Sequence, residues 1–442
     1  TFSLSASSST SFPTKLTSYF SVMEMLVRQL INVPVHLGLE HYPNIYCGVA
    51  VFLLIPLYIM NKKIKPAEKI GKCIILLVFL LAFNLNIPNF IWHGFHYPNS
   101  LPCRQSFIYI FFLLSMSYEA FYRIRQSTVK QISASVWFSI IFLVLAEQIF
   151  KDSDTYDFKI FYISGAFILI YALLIYLKKT KNFKIPVIFF AVLCVSVVEC
   201  TINMESTGLG TTSRTAYLLD YNAVKTVTSD VSDNDDSFYR MDKITGARSK
   251  NDGAWHNYHT ISIFSSTCSA GMSQLYKYLG MVSSTNAYGY DGSTIVTNSL
   301  FSVKYLISNK LLSTDSLRTY YNGYDGEFIY KNEYTLPAGY VSDGNLSEKW
   351  KPDTIYNGIE NQNSLIEALT GVKDTFTECF VYPSQIDVTF SPSSSGHMYL
   401  VIQKEGVDNI GVTINGNTTG YSGLKSGNRT VDIGYVNAGD SI

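Results

Sequence analysis

The stretch IFYISGAFILIYALLIYL, residues 160–177, contains eighteen residues and no charged side chain. At 1.5 Å per residue, a helix of this length is about 27 Å long, close to the roughly 30 Å thickness of a bilayer core. A continuous apolar run of this kind is typical of a transmembrane helix. The stretch therefore predicts that part of the chain lies in lipid.

Five other runs of the 442-residue chain share this apolar character, and only 15% of all residues are charged. A soluble domain usually has about 25% charged residues. Buried helices of a large soluble protein are the alternative, but the short polar loops between the runs favour lipid. The six predicted spans are residues 45–60, 73–91, 107–122, 132–150, 160–177 and 185–204.

Lysine and arginine are unevenly distributed among the loops between these runs, and cytoplasmic loops carry the excess of both. The first loop holds five lysines within residues 62–72, and every second loop after it is again basic. The intervening loops contribute little beyond Arg104, Lys151 and Lys159. We therefore expect a multi-pass cell-membrane protein whose lysine-rich loops face the cytoplasm. The segment 1–44 and the region after the sixth run should lie outside.

After residue 204 the composition shifts to tyrosine, serine, asparagine, glycine and aspartate, which marks a second folded region. Helix patterns occur at 270–278 and 364–369 and strand patterns at 302–307 and 326–330, which together indicate an α+β domain. Later, alternation predicts antiparallel strands of a sandwich. These strand signals are QIDVTF (385–390), MYLVIQ (398–403) and GVTINGNTTGY (411–421), with a turn at Asn415 and Gly416.

The predicted fold class is a polytopic α-helical membrane domain of about six transmembrane helices, followed by an extracytoplasmic α+β domain and a C-terminal β-sandwich-like module. The segment 16–31 is amphipathic and is expected either to lie along the membrane surface or to pack as an ordinary helix. The predicted domains are 1–43 (a loop with the amphipathic helix), 44–204 (six membrane helices), 205–375 (α+β) and 376–442 (the β module).

The connection WHGFHYPNSLPCRQSF, residues 92–107, interrupts two apolar runs with polar, aromatic and cationic side chains. A phosphate-bearing lipid needs cationic and hydrogen-bonding groups at headgroup depth, and an arginine fork suits phosphate oxygens. An interfacial belt of anchoring residues is the alternative interpretation. The candidate substrate-binding residues here are Asn89, Trp92, His93, His96 and Arg104.

Acidic residues at two other places are candidates for catalysis. Asp152, Asp154 and Asp157 crowd one short loop, where paired carboxylates can hold a divalent cation against a phosphate. A solvated acidic loop is the commoner interpretation. Glu199 lies near the end of the sixth run, where an acid is costly, and can pair with Arg104 or act as a base. Neither the cysteines nor His93 and His96 show the spacing of a metal site.

In the second region, NDGAWHNYH (251–259) offers Trp255 and Tyr258 as faces on which a sugar can stack. A turn followed by buried aromatic side chains is the alternative. The 34 basic and 34 acidic residues balance, so the composition gives no indication of a nucleic-acid partner.

Several ordered motifs resemble the YfhO-type family of bacterial polytopic membrane proteins. They are HYPNIYCGV (41–49), NFIWHGFHYPNSLPCRQSFIYIFFLLSMSYEAF (89–121), NDGAWHNYHTISIFSST (251–267), NSLFSVKYLIS (298–308), LPAGYVSDGNL (336–346) and ENQNSLIEALTG (360–371). This family resembles membrane glycosyltransferases of the GT-C architecture, with members implicated in glycosylating envelope polymers such as lipoteichoic acid. The resemblance implies membrane lipid, a polyprenyl-phosphate-linked sugar and an envelope glycopolymer as partners.

The chain opens at Thr1 without an initiator methionine and stops within a strand pattern. We therefore expect a fragment that lacks the first membrane helices. The resemblance places the acidic catalytic residue of GT-C enzymes in the first outer loop, upstream of this chain, and the fragment should be inactive alone. The competing hypothesis is a non-enzymatic protein, either a transporter of lipid-linked glycan or a glycan-binding scaffold.

Overall fold

The computed structural model describes residues 12–36, 42–96, 103–181, 185–207, 212–341, 345–353, 357–379, 388–403, 405–424 and 428–442. Contacts divide the chain into a helical unit within Ser9–Thr211 and a mixed unit within Thr212–Ile442. The first holds almost all of the long apolar helices and the second holds all the named strands of the described residues. The division into four domains stays a prediction.

The helical unit contains eight α-helices in its described residues. They are α1 (Val22–Val27), α2 (Val51–Met60), α3 (Pro66–Asn84), α4 (Asn86–Trp92), α5 (Ser106–Tyr122), α6 (Val129–Phe150), α7 (Phe158–Thr180) and α8 (Ile185–Thr207). A single 3₁₀ turn, Ile124–Gln126, follows α5. Between the helices lies one large apolar core that also includes Phe20, Val27, Leu30 and Ile31.

Three helices in the described residues are long and apolar enough to cross a membrane. They are Val129–Phe150, Phe158–Thr180 and Pro186–Ser206. These match the fourth, fifth and sixth predicted runs, so a membrane-embedded part is confirmed. The predicted number of six spans is wrong, and each of the other three runs falls short for a physical reason.

The first predicted run becomes helical only at Val51, and α2 has 10 residues, about 15 Å. The second is divided at Leu85, whose backbone is extended (φ −105°, ψ 135°). The amides of Asn84 and Asn86 hold this break, because they accept hydrogen bonds from Phe20 N (3.1 Å) and Thr17 N (3.0 Å). Helix α3 also carries three charged residues, Glu68, Lys69 and Lys72, in its first two turns. Helix α5 has 17 residues, about 26 Å.

The amphipathic segment 16–31 packs into the helical unit, which favours the second of the two expectations for it. Only Val22–Val27 is helical, with Ser21 as the N-cap residue accepting from Glu24 N. Val27, Leu30 and Ile31 are fully buried. Burial of each such side chain contributes about 1.5–3 kcal/mol, enough to hold a six-residue helix that would not persist alone.

The mixed unit is built on a four-stranded sheet of order β1-β5-β7-β6. Strand β1 (Arg240–Lys243) is parallel to β5 (Val303–Ser308), whereas β7 (Glu327–Asn332) is antiparallel to both β5 and β6 (Arg318–Tyr324). The remaining strands are β2 (Ile263–Phe264), β3 (Val282–Ser283), β4 (Ala287–Gly289), β8 (Gly396–Ile402), β9 (Asn409–Ile414), β10 (Asn417–Ser422) and β11 (Arg429–Val436).

Helices cover both faces of the four-stranded sheet. The helices are α9 (Arg214–Tyr217), α10 (Tyr221–Asn234), α11 (Asp252–His256), α12 (Ala270–Tyr278), α13 (Ile295–Leu300), α14 (Leu346–Lys349) and α15 (Gly358–Thr370). Valines of α10 pack on Tyr305 and Ile307, which lie on one face of β5. Leu306 lies on the other face with Tyr276 and Leu365. The predicted helices at 270–278 and 364–369 and the predicted strands at 302–307 and 326–330 are thus present.

The C-terminal strands form two antiparallel pairs, β8 with β11 and β9 with β10. Asn415 (φ 48°) and Gly416 (φ 83°) connect β9 to β10 as a two-residue turn with positive φ at both positions. The strand predicted at QIDVTF lies partly outside the described residues, and its described part, 388–390, is not a strand.

Candidate functional site

Two opposite ends of the helical unit differ in chemistry. At one end, Lys179 Nζ donates to Arg125 O (2.5 Å), and Lys72 pairs with Glu119 (3.2 Å). We call this the lysine-rich end. At the other end lie the start of α2, the end of α4, the start of α5 and the last turns of α8, and we call it the Glu199 end. The basic loops therefore gather on one side, as the positive-inside prediction requires, although the orientation itself stays a prediction.

Glu199 is a buried acid on α8, with 2% of its surface exposed. The hydroxyl of Tyr46 (2.8 Å) and the backbone N–H of Val49 (2.7 Å) donate to Oε1, and the hydroxyl of Tyr171 (2.6 Å) donates to Oε2. Three donors satisfy a carboxylate in an apolar surrounding, where an unpaired charge is costly. These hydroxyl and amide groups, and not Arg104, are the partners of Glu199 in the structure.

Gly48 allows this arrangement. Its φ of +97° is strained for any residue with a Cβ, and it turns the chain so that the next residue, Val49, points its N–H at Glu199. A Cβ at Gly48 would lie 3.9 Å from the nearest carboxylate oxygen. The motif HYPNIYCGV therefore supplies both the turn at Gly48 and the hydroxyl of Tyr46 that donates to Glu199.

The connection between α4 and α5 brings several predicted residues to the Glu199 end. Asn89 is 1% exposed; its Nδ2 donates to Tyr19 Oη (3.3 Å), and its carbonyl lies 2.8 Å from His93 Nδ1. Burial lowers the pKa of His93; the hydrogen bond with the Asn89 carbonyl opposes this effect, and nearby His96 and Arg104 add to it. Arg104 is exposed, and Trp92 packs edge-on against Phe79.

Buried polar atoms in this connection lack partners among the described residues. They include Asn89 Oδ1, His93 Nε2 and both amide atoms of Gln105. Gln105 precedes the first turn of α5 and is 4% exposed. Buried polar atoms are normally hydrogen-bonded, so a concentration of unsatisfied ones suggests a place for water or a ligand.

The acidic loop before α7 differs from Glu199. Asp152 and Asp154 are exposed, and Asp157 serves as the N-cap residue of α7 by accepting from Lys159 N at 3.0 Å. Within the described ranges, no three His, Cys, Asp or Glu side chains are placed to hold a metal ion. The described geometry thus gives the proposed divalent cation no binding set, and it gives Asp157 a structural role.

A residue that the sequence analysis did not single out, Arg28, is the most deeply buried cation among the described residues of the helical unit. It is 3% exposed at the end of α1. Its Nε donates to Pro43 O (2.7 Å), and its Nη2 donates to Pro34 O (3.0 Å) and Asn44 Oδ1 (2.9 Å). The sequence contained a signal for it, since Arg28 is the single charged residue between Glu24 and His36.

In the mixed unit, the two predicted stacking residues line adjoining cavities. Trp255 borders an open cavity of about 400 Å³, and Tyr258 borders one of about 380 Å³. Both cavities share Arg248 and Asp252. Trp255 is half-buried and forms a T-shaped pair with Tyr217, with the ring centres 4.7 Å apart, so only part of the indole is available to a sugar.

Another cluster that the sequence did not predict ties the C-terminal strands to the sheet. His397 of β8 lies 2.7 Å from a carboxylate oxygen of Asp315 and 2.7 Å from one of Asp432. Arg318 donates to the other oxygen of Asp432 at 2.9 Å. Although burial opposes it, the two carboxylates raise the pKa of His397, and His397 lowers those of Asp315 and Asp432.

Long apolar helices, a polar site buried at one of their ends and a separate strand-rich unit define an integral membrane protein with a large folded region after its last span. The chain belongs to the family described as bacterial membrane protein YfhO, whose family model matches residues 1–437. No curated protein and no solved structure among those compared matches the chain.

Proposed function

We propose that the chain is part of a membrane glycosyltransferase of GT-C type. It would move a sugar from a polyprenyl-phosphate donor to a teichoic-acid-like envelope polymer on the outer face of the membrane. One observation carries the proposal: buried polar and ionisable side chains concentrate at the Glu199 end of an otherwise apolar helical unit. Such residues within membrane segments commonly mark substrate pathways, because facing lipid is costly. Membership of the YfhO family supports the same conclusion.

The chemistry assigned to Arg104 is electrostatic. A guanidinium remains protonated near neutral pH, so it cannot act as an acid or base. It can hold the donor phosphate and stabilise the charge that grows on the phosphate as the sugar leaves. His93 lies within electrostatic range of Arg104, and its Nε2, which has no partner in the described part of the chain, can form a hydrogen bond.

The test is sugar transfer by the intact protein. Arg104→Ala should lower the transfer rate by about a hundredfold, as removal of a charge-stabilising donor does elsewhere, while membrane insertion is unchanged. Arg104→Lys should restore only part of the rate because a point charge replaces a planar fork. Arg125→Ala, at the lysine-rich end, is the matched control and should transfer normally. Normal transfer by Arg104→Ala would refute the role given to Arg104.

A glycan transporter or scaffold is the second candidate function. The hydrogen bonds that the carboxylate of Glu199 already accepts favour it. Three of the roughly four acceptor positions of its carboxylate are occupied by Tyr46, Val49 and Tyr171, which is the arrangement of an acid that holds helices together. On this alternative, the protein would bind a lipid-linked sugar, and no sugar would reach an acceptor in the same assay.

A further inference from the structure

Arg28 is a buried guanidinium that has no acidic partner among the described residues. Its side chain donates to two carbonyl groups and one amide oxygen, and its further hydrogen-bonding neighbour, the phenol of Tyr156, is also neutral. A charge taken out of water is costly unless an opposite charge or further hydrogen bonds compensate it. Neutral acceptors satisfy part of this requirement and leave the positive charge itself uncompensated.

One nitrogen of the guanidinium is unused. Arginine carries five N–H groups, one on Nε and two on each Nη. Nε and Nη2 are occupied by Pro43, Pro34 and Asn44, whereas Nη1 is buried and has no hydrogen-bond partner of normal geometry in the described residues, with the neutral phenol of Tyr156 close by. Two N–H groups on Nη1 are therefore available to oxygen atoms of an anion.

The surroundings of Arg28 belong to the Glu199 end. The guanidinium lies 5.4 Å from the centre of the Tyr42 ring and within electrostatic range of Cys103, the residue before Arg104. It is also close enough to Tyr156 to lower the pKa of that phenol, although burial has the larger effect and raises it to about 12. Arg28 thus lies where the segments around residues 42, 103 and 156 converge.

Gln105 provides a second, independent indication of a ligand. Its side-chain amide is more than nine-tenths buried, and within the described residues neither its oxygen nor its nitrogen has a partner. Gln105 and Tyr109 are four residues apart and share one face of α5. The hydroxyl of Tyr109 donates to Gln29, the neighbour of Arg28, so this face of α5 meets the Arg28 segment.

We propose that Arg28 is an anion-binding residue that receives a phosphate group at the Glu199 end, with the Gln105 amide as an additional hydrogen-bonding group. The inference rests on the proposed function for its ligand, the phosphate of a polyprenyl lipid. Phosphate oxygens are strong acceptors of charge-assisted hydrogen bonds from arginine. Phospholipid headgroups and free phosphate present the same oxygens, so the experiment must distinguish the sources.

The test measures binding to the purified intact protein in nanodiscs of zwitterionic lipid. The probes are a polyprenyl monophosphate and the matching polyprenol, which lacks only the phosphate. The wild-type protein should bind the monophosphate at least tenfold more tightly than the polyprenol. Arg28→Gln should lose that preference and keep its affinity for the polyprenol, and Arg28→Lys should lose part of it. Arg125→Gln, an exposed arginine at the lysine-rich end, is the matched control and should behave as wild type.

Two competition arms identify the source of the phosphate. Displacement of the monophosphate by inorganic phosphate assigns the site to any phosphate, and displacement by phosphatidylglycerol nanodiscs assigns it to lipid headgroups. If neither competitor displaces the monophosphate, the site is specific for the polyprenyl lipid. Each of the three results supports an anion site at Arg28, provided that the Arg28 variants lose the binding of the monophosphate. Equal binding of the monophosphate by wild type and Arg28→Gln would overturn the proposal.

Arg28 also holds its own neighbourhood together, so Arg28→Gln can fail to fold. In that case, Arg28→Lys, which keeps the charge, is compared with wild type. The preference of the wild-type protein for the monophosphate over the polyprenol is a test that needs no variant. A wild-type protein that binds polyprenol and polyprenyl monophosphate equally well has no phosphate site here. Phosphate binding without sugar transfer would refute the proposed function and leave this inference intact. If the wild-type protein transfers sugar and the Arg28 variants still bind the monophosphate as wild type does, the proposed function would stand and this inference would be refuted.

Discussion

Replacing His397 by glutamine should loosen the C-terminal strands from the rest of the mixed unit. The imidazole is 6% exposed and bridges Asp315, whose side chain is 3% exposed, and Asp432, whose side chain is 28% exposed. After the substitution, Asp315 keeps the backbone N–H groups of Leu317 and Arg318 on one oxygen and loses its partner on the other. Asp432 keeps Arg318.

The cost follows from which charges are left alone. Removing one partner of a buried ion pair costs about 3–5 kcal/mol. Asp432 is partly solvated and still paired, so most of the cost comes from Asp315, and we expect about 3 kcal/mol, the low end of that range. Since about 1.4 kcal/mol corresponds to a factor of ten, local opening of β8 and β11 should become on the order of a hundredfold more frequent.

The effect should depend on pH. The folded-state pKa of His397 is raised, so its stabilisation is fully present below the unfolded value of about 6.5 and is lost as pH rises through the folded value. The pKa values of Asp315 and Asp432 are lowered, so their stabilisation is present above about 3.9 and is lost as pH falls. The strands should therefore be most stable between about pH 4 and 6.5.

Hydrogen exchange by mass spectrometry on the intact protein can test this. Protection of Gly396–Ile402 and Arg429–Val436, corrected for the intrinsic pH dependence of exchange, should fall in His397→Gln, most strongly near pH 6. His259→Gln replaces an exposed histidine of the same unit and should change nothing there. Equal protection of wild type and His397→Gln at pH 6 would show that the bridge does not hold the strands.

Two further predictions concern orientation and packing. Single cysteines placed in residues 62–72 should be shielded from an impermeant outside reagent while cysteines in 212–442 are labelled; the opposite pattern would invert the proposed orientation. Gly358→Ala should lower the melting temperature, because a Cβ there would lie 2.5 Å from Gly280 Cα, and overpacking of this kind costs about 1–3 kcal/mol. A Cβ at Gly339 would meet no described atom within 4 Å, so Gly339→Ala should melt as wild type does.

The elements that could be predicted are those with local signals. The run 160–177 is continuous and apolar, and it forms α7. Asn415 and Gly416 are a turn pair that tolerates positive φ, and they connect β9 to β10. In both cases the information lies within about twenty residues of sequence.

The break in the second run could be predicted only in part. Pro88 is a local signal, because it has no N–H to donate to the carbonyl of Asn84. The contacts that fix the break, from Asn84 and Asn86 to backbone N–H groups of Phe20 and Thr17, join residues more than sixty positions apart. Likewise, His397 lies 82 residues from Asp315 and 35 from Asp432, and no periodicity relates the three. Contacts of this kind depend on the completed fold, so one sequence without its relatives carries no pattern for them.

The segment 43–49 explains why the buried acid Glu199 and the buried cation Arg28 do not pair with each other. Its first residues, Pro43 and Asn44, bind Arg28, and its later residues, Tyr46 and Val49, bind Glu199. Each of the two side chains is therefore held by neutral groups, most of them in this short segment, and not by the other side chain. A direct salt bridge would compensate both side chains and use the N–H groups that Nη1 leaves open. Because the segment donates hydrogen bonds to Glu199 separately, Arg28 keeps N–H groups on Nη1 that are not used by the acid. A buried cation of this kind can bind an anion that enters from outside the protein.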